Sequence, residues 1–208
     1  MPRIASLQVI FGLTVAFAAT ALAQAPAPSI RIRGTITSFA GGVLTVAGAA
    51  QTYKVTIPDN ARIQWIVKSD LSSIGPNTYV GTVAIEQPDG SLRATEVQIF
   101  PDALRGVGEG SKAWDTLPNS SMTNATVETI APQTGDKVTG QILLVKYKDT
   151  EKKVFVPAGA PIVTYAPADK SALTAGAHVY INSNTTAADG TLTTTSVQVG
   201  KDGLTPPM

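Results

Sequence analysis

The sequence predicts an all-β protein: two tandem OB-like small β-barrels, each of about five or six strands plus a short helix, joined by a packed Gly-rich linker. Three observations predict it. Apolar and polar residues alternate over short runs, which is the period of a half-buried strand. Pro88-Asp89-Gly90 is a strong hairpin signal between two such runs. Whole blocks of sequence recur 99 or 100 residues apart.

The recurrence is collinear. Val55-Thr56-Ile57-Pro58 matches Val154-Phe155-Val156-Pro157, and Asp70-Leu71-Ser72-Ser73-Ile74 matches Asp169-Lys170-Ser171-Ala172-Leu173. Asp89-Gly90-Ser91-Leu92 with Thr95-Glu96-Val97-Gln98-Ile99 then matches Asp189-Gly190-Thr191-Leu192 with Thr195-Ser196-Val197-Gln198-Val199. The two copies are expected to superpose, with Val55, Ile57 and Val97 falling on Val154, Val156 and Val197, all inward.

Each element has a local reason. Ile30, Ile32 and Ile36 alternate with Arg31, Arg33, Thr35 and Thr37, and Gly34 on the inward phase marks a bend or bulge. Gly41-Gly42 turns into Val43-Leu44-Thr45-Val46. Tyr53, Val55 and Ile57 form the next face, ended by Pro58-Asp59-Asn60. Ile63, Trp65 and Val67 share one side of a further extended segment. Ser69 or Asp70 then caps a helical turn carrying Leu71 and Ile74. After Gly75-Pro76-Asn77, a strand from Tyr79 to Glu86 meets one from Leu92 to Ile99. Strand order is not visible in one sequence, so closure as a barrel or packing as a sandwich both remain open. The expected divisions are 1–23 signal peptide, 24–29 short linker, 30–99 first repeat, 100–124 inter-repeat linker, 125–200 second repeat and 201–208 tail.

The leader carries Arg3, an apolar stretch from Ile4 to Leu22, and the small-residue exit Ala21-Leu22-Ala23, with Ala23-Gln24-Ala25 as a second register. Export to the periplasm is expected, with no stable membrane insertion after cleavage. The chain has no cysteine, so stability must come from burial without disulfides. Charged residues are 15% of the chain, against about 25% on average, and the net charge is +1. That balance lacks the basic footprint of a nucleic-acid partner.

From Phe100 to Asn124 the alternation stops. Leu104, Val107, Trp114, Leu117 and Met122 could bury surface there, which predicts a packed bridge. The sharper alternative is a binding loop made of Arg105, Glu109, Lys112, Trp114 and Asp115. The segments Leu104-Arg105-Gly106, Gly108-Glu109-Gly110, Trp114-Asp115, Met122-Thr123-Asn124-Ala125-Thr126-Val127 and Gln87-Pro88-Asp89-Gly90, with the tail Asp202-Gly203-Leu204, carry a resemblance. They resemble a family of uncharacterised exported proteins of Gram-negative bacteria with a duplicated small β-barrel domain. The resemblance implies no defined activity. Some relatives are labelled metal-transporter permeases, which would imply a soluble accessory of metal transport. Relatives tend to carry His, Arg or Pro where this chain has Ser111-Lys112-Ala113, a departure that removes a candidate ligand.

No catalytic, cofactor or metal residue is nominated. His178 is the only histidine and stands where the first copy has Tyr79, so a structural or surface role is expected. One histidine without cysteine cannot make the usual zinc site. Asp149-Thr150-Glu151 reads as a hairpin turn rather than a calcium loop. Gly106 to Lys112 lacks the Gly-Lys junction of a phosphate loop. Glu86 and Glu96 could face each other across a hairpin, as a glycosidase pair would, but alternation points them to solvent. The expected function is a periplasmic non-catalytic binding or accessory module for a small ligand, envelope polymer or envelope protein. An envelope structural or interaction protein is the alternative.

Overall fold

The computed structural model describes residues 29–135 and 138–207. The expected signal peptide lies outside them. Among the described residues every helical segment is a single 3-10 turn, and the rest of the regular structure is strand.

The chain opens with a three-stranded meander: β1 (Ile32–Ala40), β2 (Val43–Gly48) and β3 (Thr52–Thr56). Gly41 and Gly42 adopt the positive φ values, 57° and 76°, that the tight first turn requires. Gly34 allows β1 to lie against β2: a Cβ there would sit 2.2 Å from the Ala47 carbonyl oxygen. β4 (Arg62–Ser69) follows, then a single 3-10 turn at Leu71–Ser73. The Asp70 side chain caps that turn by accepting from the Ser72 N–H at 2.8 Å. The hairpin β5 (Tyr79–Glu86) and β6 (Leu92–Ile99) completes the first half.

A 3-10 turn at Asp102–Leu104 and a short strand β7 (Gly110–Ala113) lead into β8 (Ser120–Gly135), β9 (Val138–Tyr147) and β10 (Thr150–Pro157). Then come β11 (Ile162–Ala168), a 3-10 turn at Lys170–Ala172, β12 (His178–Ile181), β13 (Thr185–Thr186), β14 (Leu192–Thr193) and β15 (Ser196–Gly200). Asp169 caps its turn as Asp70 does, accepting from the Ser171 N–H at 2.7 Å. Part of the expected linker is therefore strand. β7 pairs with Ser121 to Asn124 of β8 through backbone bonds and one hydroxyl–hydroxyl contact, Ser111 with Thr123 at 2.9 Å, with side chains mostly outside any core, so no alternation announces it.

A five-stranded barrel closes in the order β8, β9, β10, β6, β5 and back to β8. The closing pair is parallel, Val154 of β10 opposite Leu92 of β6. Barrel rather than sandwich is thereby decided for these strands. A second array follows the same order, β1, β2, β3, then β14 running on into β15, then β12 back to β1.

The strands in each array come from both halves of the chain, which corrects the expected division. Neither residues 30–99 nor residues 125–200 close on themselves. The meander of each half is completed by the hairpin region of the other. Val55, Ile57 and Val197 share one core, while Val154, Val156 and Val97 share the other. All six are inward, as alternation requires, but Val97 lies with the valines of the other half. The physical cause is β4. Its eight residues run extended instead of folding back, carrying the chain roughly 26 Å at about 3.3 Å per residue. β11 does the same in the other half, and the two pair antiparallel with Ile66 opposite Tyr165.

β4 and β11 form the middle of a seam, β6-β11-β4-β15, which joins the two arrays. A third apolar cluster gathers Ile66, Val83, Trp114, Met122, Val163 and Tyr180. Full burial of aliphatic or aromatic side chains contributes about 1.5–3 kcal/mol each, so the seam is welded by burial as well as by backbone bonds.

Candidate functional site

Period two places glutamines on the seam. On β6, Val97 and Ile99 point into one barrel core, so Gln98 between them points out. On β15, Val197 and Val199 point into the other core, so Gln198 points out as well. Out here does not mean solvent. Gln98 lies beside Val163 of β11, Gln198 beside Gln64 of β4, and both look into a cleft of about 250 Å³.

Tyr165 of β11 stands between them. Gln198 donates from Nε2 to its hydroxyl at 3.4 Å, and the Gln98 amide approaches the same hydroxyl. Burial raises the Tyr165 phenol well above its ordinary value. Tyr180, whose hydroxyl donates to Asn182 Oδ1 at 2.8 Å, is pushed up to about 12 by burial, against the pull of Arg33 and Arg31. Both phenols stay neutral near neutral pH and can donate as well as accept.

The segment after β6 makes the opposite wall. Tyr79 donates from its hydroxyl to the Val107 carbonyl at 3.2 Å, and Asn124 donates from Nδ2 to the same carbonyl at 3.0 Å. That pair holds the glycine-rich turn over the cleft. Phe100 packs between Tyr79 and Tyr165, with ring centroids 5.3 and 5.6 Å away.

Several polar atoms of this cleft have no hydrogen-bond partner among the described residues: Gln98 Nε2, Gln198 Oε1, Asn124 Oδ1 and Trp114 Nε1. Gln98 is 3% exposed, Trp114 8% and Asn124 9%. Leaving a buried polar group unpaired costs about 1–3 kcal/mol, so such a cluster calls for a reason.

The five residues nominated from sequence divide by role. Trp114 and Lys112 line the cleft. Asp115 lies just behind it, gripped by Arg33 at 2.8 and 3.2 Å and by Arg31 at 3.4 Å. The hydrogen bond from Arg33 is the main cause that holds the Asp115 carboxyl below its usual range. Arg31 also stacks 4.0 Å from the centroid of the Trp114 ring. Arg105 bonds the Asn77 carbonyl and Asp102, and Glu109 accepts from the Lys148 N–H at 2.9 Å. Those two tie the segment to neighbouring turns rather than face the cleft. Leu104 lines the cleft, but Val107 and Leu117 are 53% and 42% exposed, so Trp114 is buried by the seam cluster and not by the neighbours expected for it.

Sequence reasoning missed Gln64, Gln98, Gln198, Asn124, Tyr165 and Tyr180. One signal was available: the two glutamines occupy the same place in matching blocks, each between core residues. Glu86 and Glu96 do not face each other. Glu86 is exposed opposite Leu92, whereas Glu96 is 6% exposed opposite Val83. His178 sits beside Thr35, with Nδ1 3.2 Å from the hydroxyl. Among the described residues no helix is long and apolar enough to cross a membrane. Comparison with family models, with curated proteins and with solved structures finds no match.

Proposed function

We propose that this chain is a non-catalytic periplasmic binding or accessory module, exported by its first 23 residues, whose small polar ligand enters the cleft over the glutamine seam. The observation that carries this reading is the group of unpartnered polar atoms on Gln98, Gln198, Asn124 and Trp114 around one cleft. A site built to hydrogen-bond a ligand leaves such atoms unpaired until the ligand arrives, and that is the source of its selectivity.

The scaffold is read as a duplicated OB-like unit whose two copies exchange strands. Strand order supports this, because meander strands one, two and three are followed round the ring by five and four, with the three–five pair parallel. The matching caps at Asp70 and Asp169 support it too. So does the pairing of Ile66 with Tyr165, 99 residues on, which sets a two-fold axis between the copies.

The test is thermal unfolding of the mature chain against fractions of a small-molecule extract of the cell envelope. A ligand at 100 times its Kd stabilises by about 2.7 kcal/mol, readily seen as a shift in Tm. At least one fraction should raise the Tm of the native protein and leave Gln198→Leu unmoved. If no fraction acts and the chain is instead recovered in a stable envelope assembly, a structural or interaction role replaces this reading.

A further inference from the structure

Resting on the binding-module reading, we infer that the cleft takes one acidic sugar unit of the hexuronate class, its hydroxyls on the amide floor and its carboxylate at the cationic rim. Four features of the cleft point to that chemistry.

The unpartnered atoms are mixed in kind. Gln98 Nε2 and Trp114 Nε1 are donors, while Asn124 Oδ1 and Gln198 Oε1 are acceptors. The orientation of Asn124 is set by its bond to the Val107 carbonyl, so its free atom is an acceptor whatever the glutamines do. An anion such as sulfate offers acceptors only and would meet two repulsive oxygens, and phosphate, which keeps one or two P–OH donors near neutral pH, has no apolar face to set against the rest of the cleft. Hydroxyls donate and accept at once, and neighbouring ring hydroxyls match neighbouring amides.

Aromatic side chains supply the second feature. Phe100, Tyr165 and Tyr180 line the same cleft and give apolar surface for the C–H face of a ring. Size is the third. At about 250 Å³ the cleft falls just below the roughly 300–1,000 Å³ of drug-sized sites, which suits one ring better than a chain.

The fourth feature is charge. Arg62 and Lys112 line the cleft and are exposed, and among the described residues no carboxylate side chain lines it. Neutral sugars have no use for that bias, whereas a ring carboxylate pairs with it. Because the polar atoms are nearly inaccessible in the free protein, binding requires the glutamine amides to rotate toward the ligand.

Calorimetry and ligand-observed NMR on the mature chain test this with glucuronate, galacturonate, glucose and inorganic phosphate as probes. A uronate should bind, and glucose should bind about tenfold more weakly, the loss of one charge-assisted bond. Arg62→Gln, at an exposed position, should bring the uronate down to the glucose level without changing glucose binding. Gln98→Leu should abolish binding of both sugars while raising the Tm of the free protein, because an unpaired buried amide is removed. That opposite movement separates a ligand-facing glutamine from one that merely supports the fold. Absence of sugar binding, or phosphate binding in its place, overturns the inference. If an envelope fraction still shifts the native Tm in that case, the binding-module reading stands without it.

Discussion

Glu96 shows what a single residue contributes here. Its neighbour Val97 faces the barrel core, and Glu96 itself is only 6% exposed, its carboxyl within the electrostatic reach of Arg33. Burial pushes its pKa from 4.5 up to about 8, with Arg33 pulling the other way. A carboxyl whose folded value lies above its unfolded one binds more protons when folded. Stability is therefore lost as pH rises from about 4.5 to about 8, and levels off beyond. Glu96→Gln should leave stability at pH 4.5 nearly unchanged and raise it at pH 8 by roughly 2–4 kcal/mol, at about 1.4 kcal/mol per pH unit with some relaxation of the site. Urea unfolding of both proteins at several pH values checks this. Parallel pH profiles would show that Glu96 is not the group responsible. Other positions differ between the halves in a compensating way. Gly81 leaves room for Phe100, since a Cβ there would stand 3.0 Å from its ring. One hundred or 99 residues on, Tyr180 and Gly200 reverse the large and small residues.

At the scale of elements, the segment between β6 and β8 is a fastened strap rather than a tether. Arg105 and Glu109 anchor its first part, β7 pairs with β8, and the Asp115 ion pairs bind it to the start of β1. Trp114 is the apolar pin, 8% exposed among Ile66, Val83, Met122, Val163 and Tyr180. Trp114→Ala should destabilise the protein by about 3–5 kcal/mol, the usual scale for deleting a buried aromatic. Denaturant unfolding measures the loss, and acrylamide quenching of a Trp65→Phe variant, in which Trp114 is the one tryptophan left, reports the burial directly. A readily quenched Trp114 with wild-type stability in the alanine variant would contradict the strap. Because the indole also lines the cleft, the same variant should lose ligand response, which links stability and recognition through one side chain.

The whole molecule is defined by arrays that each draw strands from both halves of the chain. The closed barrel is drawn from the run Tyr79–Pro157, whereas the other array joins the flanking segments Ile32–Thr56 and His178–Gly200, so that array needs both ends of the chain. The chain has no cysteine, which makes engineered pairs a clean probe of this connectivity. Arg93 of β6 lies opposite Phe155 of β10, with its guanidinium 5.2 Å from the phenyl centroid, so both side chains share a face. Arg93→Cys with Phe155→Cys should form a disulfide on mild oxidation, since paired strands hold Cα atoms within bridging distance. Arg93→Cys with Thr56→Cys should not, although that is the contact a self-closed first half would make. Mass spectrometry of the oxidised proteins distinguishes them, and a bridge in the second pair alone would mean that each half closes on itself.

The amino-acid sequence by itself determined most of what is local, β7 excepted. Alternation set the inward faces of Val55, Val97, Val154 and Val197, Gly41-Gly42 and Asp89-Gly90 set turns, and Asp70 set a cap. Each of these depends on a few adjacent residues. Only the tertiary structure decided which inward faces meet. Matching blocks offer chemically equivalent partners, so Val97 fits the valines of either half, and the choice falls to how far β4 and β11 carry the chain. The same limit applies to the site. Period two says that Gln98 and Gln198 point out of a core, and a lone sequence reads that as facing water. Joining two arrays along one seam turns outward into inward, because the outside of each barrel strand becomes the floor of a cleft shared with its neighbour.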